Sequence, residues 1–158
     1  MLFSFLENSI PLSTARAKPS AQVLYSPMEK IPKLLLVDDS DGVREALEEL
    51  FKRTHEVGTA SDGIEAHRLL QSARVDGAPF DILMTDVNMP KMNGIELVDL
   101  VKATMPGMPC ILMGAGNEPS SHRADLYMQK PAPVEYMMSA VARLLSQSVG
   151  TTPSVPRS

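Results

Sequence analysis

The sequence holds a single cysteine, Cys110, which excludes an internal disulfide. Its place in the apolar run Cys110-Ile111-Leu112-Met113 points to a buried thiol. Dense Lys/Arg clusters are also lacking: 15 basic side chains stand against 19 acidic ones, a formal charge of −4. A surface that neutralises a nucleic-acid backbone needs the opposite balance, so nucleic acid is not an expected partner. No apolar run approaches the ~20 residues that cross a bilayer, so no membrane span is expected either. The start, Met1-Leu-Phe-Ser-Phe-Leu6, is apolar, and Ala15-Arg-Ala17 has the small-residue look of a cleavage site. Glu7 and Asn8 interrupt that run and no basic residue precedes it, so a secretory signal is not expected and the reading is cytoplasmic. His55, His67 and His122 lack ligand-like spacing and receive no metal role.

What is present is a patterned middle between two unpatterned ends. A chain of 158 residues accommodates one ordinary domain. Residues 1–32 are rich in Ser, Pro and Ala and read as a flexible tail, with Met28 an alternative translation start. Residues 148–158, rich in Pro, Ser and Thr, read as a second tail with no room for an output domain. Within 33–147, Leu34-Leu-Leu-Val37 is a continuous apolar run, as expected of a strand covered on both faces. Val43, Ala46, Leu47, Leu50 and Phe51 then repeat at helical spacing, with Ser40 or Asp41 placed to cap the start.

Four further units follow. His55–Ala60 is a short strand candidate, and Ala66, Leu69, Leu70 and Ala73 form a helical stripe after Asp62-Gly63. Phe80–Thr85 predicts a third strand, followed by the turn Asn93-Gly94 and a helical face of Ile95, Val98 and Val101. Pro109–Met113 predicts a fourth strand and Leu126–Met128 a fifth. Val134, Met137, Met138, Val141, Leu144 and Leu145 then line one face of a last helix. Alternation of this kind implies a parallel sheet with right-handed crossovers and helices on both faces.

In such a doubly wound sheet of order 2-1-3-4-5, ligands bind beyond the strands' carboxyl ends, between the first and third strands. Asp38 and Asp39 follow the first strand and Asp86 follows the third, so topology should gather three acids. Carboxylates so gathered repel one another, and a hard cation such as Mg2+ would neutralise them. A carboxylate beside such an ion is also a candidate nucleophile toward phosphorus, and Asp86 is the best placed. Lys130, after the fifth strand, opens onto the same face and can pair with a carboxylate or a phosphoryl oxygen. Taken singly, each residue has an ordinary account as a cap, a turn residue or a solvated lysine. Their coincidence at strand ends expected to converge favours a site.

Four segments together, Leu34-Leu-Leu-Val-Asp-Asp-Ser40, Ala60-Ser-Asp-Gly-Ile-Glu-Ala66, Thr85-Asp-Val-Asn-Met-Pro-Lys-Met-Asn-Gly94 and Lys130-Pro131, resemble the response-regulator receiver family over residues 33–147. The resemblance implies a flavodoxin-like α/β fold and a two-component phosphorelay function. It implies that Asp86 is the phosphoacceptor, that Asp38, Asp39, Asp86 and the backbone carbonyl of Asn88 hold Mg2+, and that Lys130 contacts the phosphoryl group. A histidine kinase or phosphotransfer protein would supply phosphate, and an unknown downstream protein would receive the signal. Tyr127, three residues before Lys130, stands where the family carries its aromatic switch.

Two departures stand out. Where the family places Thr or Ser at the end of the fourth strand, this chain has Gly114, followed by Ala115. The hydroxyl is gone, although a backbone N–H at 114 or 115 remains available. The interval between Gly114 and Tyr127 leaves room for little more than one or two turns, so a shortened fourth helix is expected. These departures raise an alternative, a degenerate receiver acting as a phosphorylation-insensitive interaction module. A related magnesium phosphatase is disfavoured because such enzymes carry Asp-x-Asp at the first strand, whereas Asp38 and Asp39 are adjacent.

Overall fold

The computed structural model describes residues 30–149. The tails expected over 1–32 and 148–158 lie almost wholly outside the described residues, as do Met28 and the apolar start. Five parallel strands, β1 (Lys33–Val37), β2 (Glu56–Ala60), β3 (Ile82–Asp86), β4 (Cys110–Gly114) and β5 (Leu126–Gln129), form one sheet of order β2-β1-β3-β4-β5. Among the described residues four helices accompany them: α1 (Asp41–Phe51), α2 (Gly63–Val75), α3 (Gly94–Thr104) and α4 (Val134–Ser148). This is the flavodoxin-like doubly wound arrangement expected.

Burial on both faces explains the unbroken apolar runs. Leu35, Val37, Leu83, Cys110 and Leu112 pack on one face with Ala66, Leu70 and Ala73 of α2 and Leu97, Val98 and Val101 of α3. Leu34, Leu36, Ile82, Met84, Ile111 and Met113 face the other way, toward Leu47 and Phe51 of α1 and Ala140, Val141 and Leu144 of α4. Each large side chain so buried contributes roughly 1.5–3 kcal/mol, which makes β1 and β3 the firmest supports for whatever follows them. Burial raises the Cys110 thiol pKa to about 12, in keeping with an inert core cysteine.

Helix starts follow from short polar side chains. Ser40, rather than Asp41, caps α1 by accepting from the Val43 N–H, and Asp62 caps α2 by accepting from the Glu65 N–H. Asn93 and Glu96 form a reciprocal capping box at α3.

The third strand lies slightly later than its apolar pattern predicts. The Asp81 carboxylate takes the Lys33 N–H at 2.8 Å while the Asp81 N–H donates to the Lys33 carbonyl at 2.7 Å. This fork stands just ahead of β3, which runs Ile82–Asp86, so that Asp86 is the strand's last residue instead of the one after it.

The shortening of the fourth unit goes further than expected, since residues 115–125 contain no helix. That segment, turn-rich in sequence, is held by side chains. Asp125 accepts from the Cys110 N–H at 2.7 Å and from Lys102 Nζ at 2.6 Å, and Lys102 also donates to the Met108 carbonyl. His122 Nδ1 accepts from the Ala124 N–H at 3.2 Å, and its Nε2 lies 2.9 Å from Glu118. Among the described residues no helix is long and apolar enough to cross a membrane.

Gly94 shows how tightly the end of β3 is closed. Its N–H donates to the Val87 carbonyl, and a Cβ at this position would stand 1.9 Å from the Asp86 carbonyl oxygen. Gly94→Ala should therefore cost about 3 kcal/mol in urea unfolding. A variant within about 0.5 kcal/mol of the parent, the range of neutral surface changes, would show that this closure is dispensable.

Candidate functional site

The carboxyl ends of β1 and β3 are adjacent in the sheet, with Val37 in register with Thr85. Asp38 and Asp86 therefore emerge side by side. Both are buried, at 3% and 7% exposure, whereas the neighbouring Asp39 is exposed. One carboxylate oxygen from each of Asp38, Asp39 and Asp86 lies within 4.8 Å of the other two. Among the described residues this is the one cluster of three such side chains compatible with a metal ion, and none of the histidines joins it.

β5 is three strands along the sheet from β1, yet Lys130 reaches back across the crevice. Its Nζ donates to Asp38 Oδ2 at 2.8 Å and pairs with Asp86 Oδ1 at 2.7 Å. The remaining oxygens are also used: Asp38 Oδ1 accepts from the Ser40 N–H at 2.9 Å, and Asp86 Oδ2 accepts from the Asn88 N–H at 3.1 Å. Each buried carboxylate thus has one side-chain and one backbone partner, and no buried side-chain polar atom is left unpaired among the described residues. The Lys130–Pro131 bond is cis.

The other residues singled out in the sequence fall around this centre. Asn88 is exposed on the loop after β3, and Ala115 is exposed directly after β4. Gly114 is buried, and its carbonyl accepts from the Lys130 N–H at 2.8 Å. Tyr127 is half-buried on the α2/α3 side of the sheet, with its hydroxyl donating to the Gly116 carbonyl at 2.6 Å. A Cβ at 114 would come within 2.6 Å of that hydroxyl.

A family model, the response regulator receiver domain, matches residues 34–142, most of the described chain. The chain belongs to the response-regulator receiver family. A gliding motility regulatory protein of Myxococcus xanthus is 33% identical over 132 residues, covering 77% of this chain and 16% of that protein. Response regulator MprA of Mycobacterium ulcerans (strain Agy99) is 30% identical over 123 residues, covering 73% of this chain and 51% of that protein. The chain thus spans about half the length of the latter and far less of the former. Among solved structures, the chemotaxis response regulator CheY4 of Vibrio cholerae aligns with a TM-score of 0.64 and 30% identity, covering 72% of this chain and 98% of that one. The family is a signalling module of two-component systems, and its acidic pocket is the feature this receiver shares.

One contributor to the receiver's site has no distinguishing mark in the sequence. Arg44 on α1 donates through Nη1 to the Asp38 carbonyl at 2.7 Å and pairs with Asp41, bracing the turn that carries the acids. Only the i,i+3 spacing of Asp41 and Arg44 hints at it, and that spacing is common on solvated helix faces.

Lys130 carries the electrostatics. Burial alone would lower its pKa, but hydrogen bonds to Asp38 and Asp86, with the charges of both, outweigh this and hold it above the usual lysine value. A raised folded-state pKa means that the stabilisation is complete below the unfolded value of about 10.4 and fades as pH rises through the folded value. Lys130→Met should cost about 1–3 kcal/mol at pH 7 without divalent ions, because two buried acids lose their counter-charge. Equal stability of variant and parent across pH 7–9 in chelator would contradict this account.

Proposed function

We propose that this receiver accepts a phosphoryl group onto Asp86 from the phosphohistidine of a histidine kinase or phosphotransfer protein, and signals by binding a downstream protein. The observation that carries the reading is the pair of contacts from Lys130 Nζ to Asp38 and Asp86, at 2.8 and 2.7 Å, beside a third acid, Asp39. The donor set is all oxygen and strongly anionic, which suits Mg2+. Asp38, Asp39, Asp86 and the backbone carbonyl of Asn88 would hold it, and when bound it supplies charge neutralisation for the transferring phosphoryl oxygens. A cytoplasmic setting fits a partner that carries phosphohistidine.

The chain's own groups suffice for the remaining steps. An Asp86 carboxylate oxygen forms the new bond to phosphorus as the phosphorus–nitrogen bond to the donor imidazole breaks, and the departing nitrogen keeps the electron pair of that bond. The Asn88 N–H holds the Asp86 carboxylate in orientation through its other oxygen. Lys130, already poised between the two buried acids, turns to a phosphoryl oxygen as charge migrates there. The Ala115 N–H, directly after β4, takes the place of the hydroxyl missing at 114 as a donor.

Acetyl phosphate and Mg2+ followed by intact-mass measurement tests this directly. Wild type should gain a single phosphate adduct that Asp86→Asn lacks. No adduct, or one that survives the substitution, would sink the reading.

Gly114 and Tyr127 favour a second reading, an interaction module whose shape ignores phosphate. The tyrosine hydroxyl occupies space that a side chain at 114 would need, and its bond to Gly116 already holds the loop after β4. Gly114→Thr should displace Tyr127 and shift its amide resonance. With beryllofluoride, a phosphoryl mimic, the phosphate-insensitive module predicts shifts confined to residues near Asp86. Widespread shifts around Tyr127 in the wild type would instead restore a conventional switch.

A further inference from the structure

The loop that carries Asn88 from β3 to α3 is tied at its start: the Asn88 N–H bonds Asp86 and the Gly94 N–H bonds the Val87 carbonyl. Its far side is tied separately, to the turn between β2 and α2. There the Gly63 N–H donates to the Met92 carbonyl at 3.2 Å, and Lys91 Nζ bonds Asp62 Oδ2 at 2.8 Å. Lys91 is also the one non-glycine residue with positive φ among the described residues, at 68°. That conformation is unfavourable for any residue bearing a Cβ, so something must hold it.

Asp62 is a rigid place to hold it from. Its side chain is 6% exposed, and its other oxygen, Oδ1, accepts from the Glu65 N–H at 2.8 Å as the cap of α2. The Lys91 bond, followed by the Glu65 N–H, keeps the Asp62 carboxyl below the usual carboxylate range. The Lys91 side chain is 63% exposed, so the pair matters less for its Coulomb energy than for what it joins, a buried helix cap and a positive-φ residue 29 positions away.

We infer that Lys91 and Asp62 are a positioning pair for the receiver's cation site, holding the loop so that the Asn88 carbonyl is presented to the ion. The inference rests on the magnesium reading above. It differs in sign from an ordinary electrostatic effect. Deleting a cation near an acidic site strengthens cation binding by Coulomb's law, whereas deleting a tether that orders a ligand weakens it.

Isothermal titration of the full chain with Mg2+ separates the two. Lys91→Gly relieves the positive-φ strain, so its folding is secure, yet it removes the tether; its Mg2+ dissociation constant should rise about tenfold. Asp62→Asn keeps an oxygen for the α2 cap and should weaken binding similarly, while Lys91→Arg, able to reach the same carboxylate, should stay within about twofold of wild type. Phosphate-adduct formation by Lys91→Gly should need more Mg2+ but reach the wild-type rate at saturation. Unchanged or tighter Mg2+ binding by Lys91→Gly overturns the positioning role while leaving the proposed function intact. Absence of Mg2+ binding by the wild type overturns both.

Discussion

The contact on which the rest of this receiver depends is a lysine held between two buried acids. Aspartates at the ends of β1 and β3 are kept almost out of water, their side chains 4% and 10% exposed, and side by side their carboxylates would repel strongly. Lys130, 92 residues away in sequence, offsets part of that repulsion. The sheet order makes this possible: β1 and β3 are neighbours, β5 closes one edge, and all three strands run the same way, so their carboxyl ends open onto one crevice. A neutral core would ignore a divalent ion or a phosphoryl group, whereas a pocket with two buried anions and a single ammonium has a charge imbalance that either would change.

Much of this was legible from residue pattern. Continuous runs such as Leu34–Val37 can only be strands buried on both faces or pieces of buried helix, and their shortness and alternation with helical stripes decide for strands. Once the strands are ordered, Asp38, Asp39, Asp86 and Lys130 have nowhere to go but one rim. Illegible features depend on single side chains that carry no periodic signal. The Asp81–Lys33 fork just ahead of β3 uses an aspartate indistinguishable in sequence from a loop residue. Arg44 and Lys91 look like solvated surface charges until the partner atoms, the Asp38 carbonyl and the Asp62 carboxylate, are known. The connection from β4 to β5 has turn chemistry in sequence, but the side chains that hold it are not marked there: Asp125 takes the Cys110 N–H, Lys102 reaches the Met108 carbonyl and His122 takes the Ala124 N–H.

Gly114 and Tyr127 are best understood as one unit. The loss of a side chain at the end of β4 and the seating of the tyrosine hydroxyl beside it are complementary volumes, and either residue alone would leave a gap or a clash. Because that hydroxyl donates to Gly116, the loop following β4 is stitched to β5 by a neutral hydrogen bond with no phosphoryl group involved. The acidic rim and this stitched loop therefore belong to different parts of the same crevice: one is built around unbalanced charge, the other around shape. The Lys130 N–H, donating to the Gly114 carbonyl at 2.8 Å, joins those two parts.

The central claim, that three acids and Lys130 share one cation pocket, is tested most directly by paramagnetic broadening with trace Mn2+, read from assigned amide resonances. The account predicts selective loss of signal at residues 38–40, 86–88, 115 and 130, reversed by excess Mg2+. Broadening spread evenly over exposed acids such as Glu45, Glu49 and Glu135, with residues 86–88 and 130 unaffected, would contradict it.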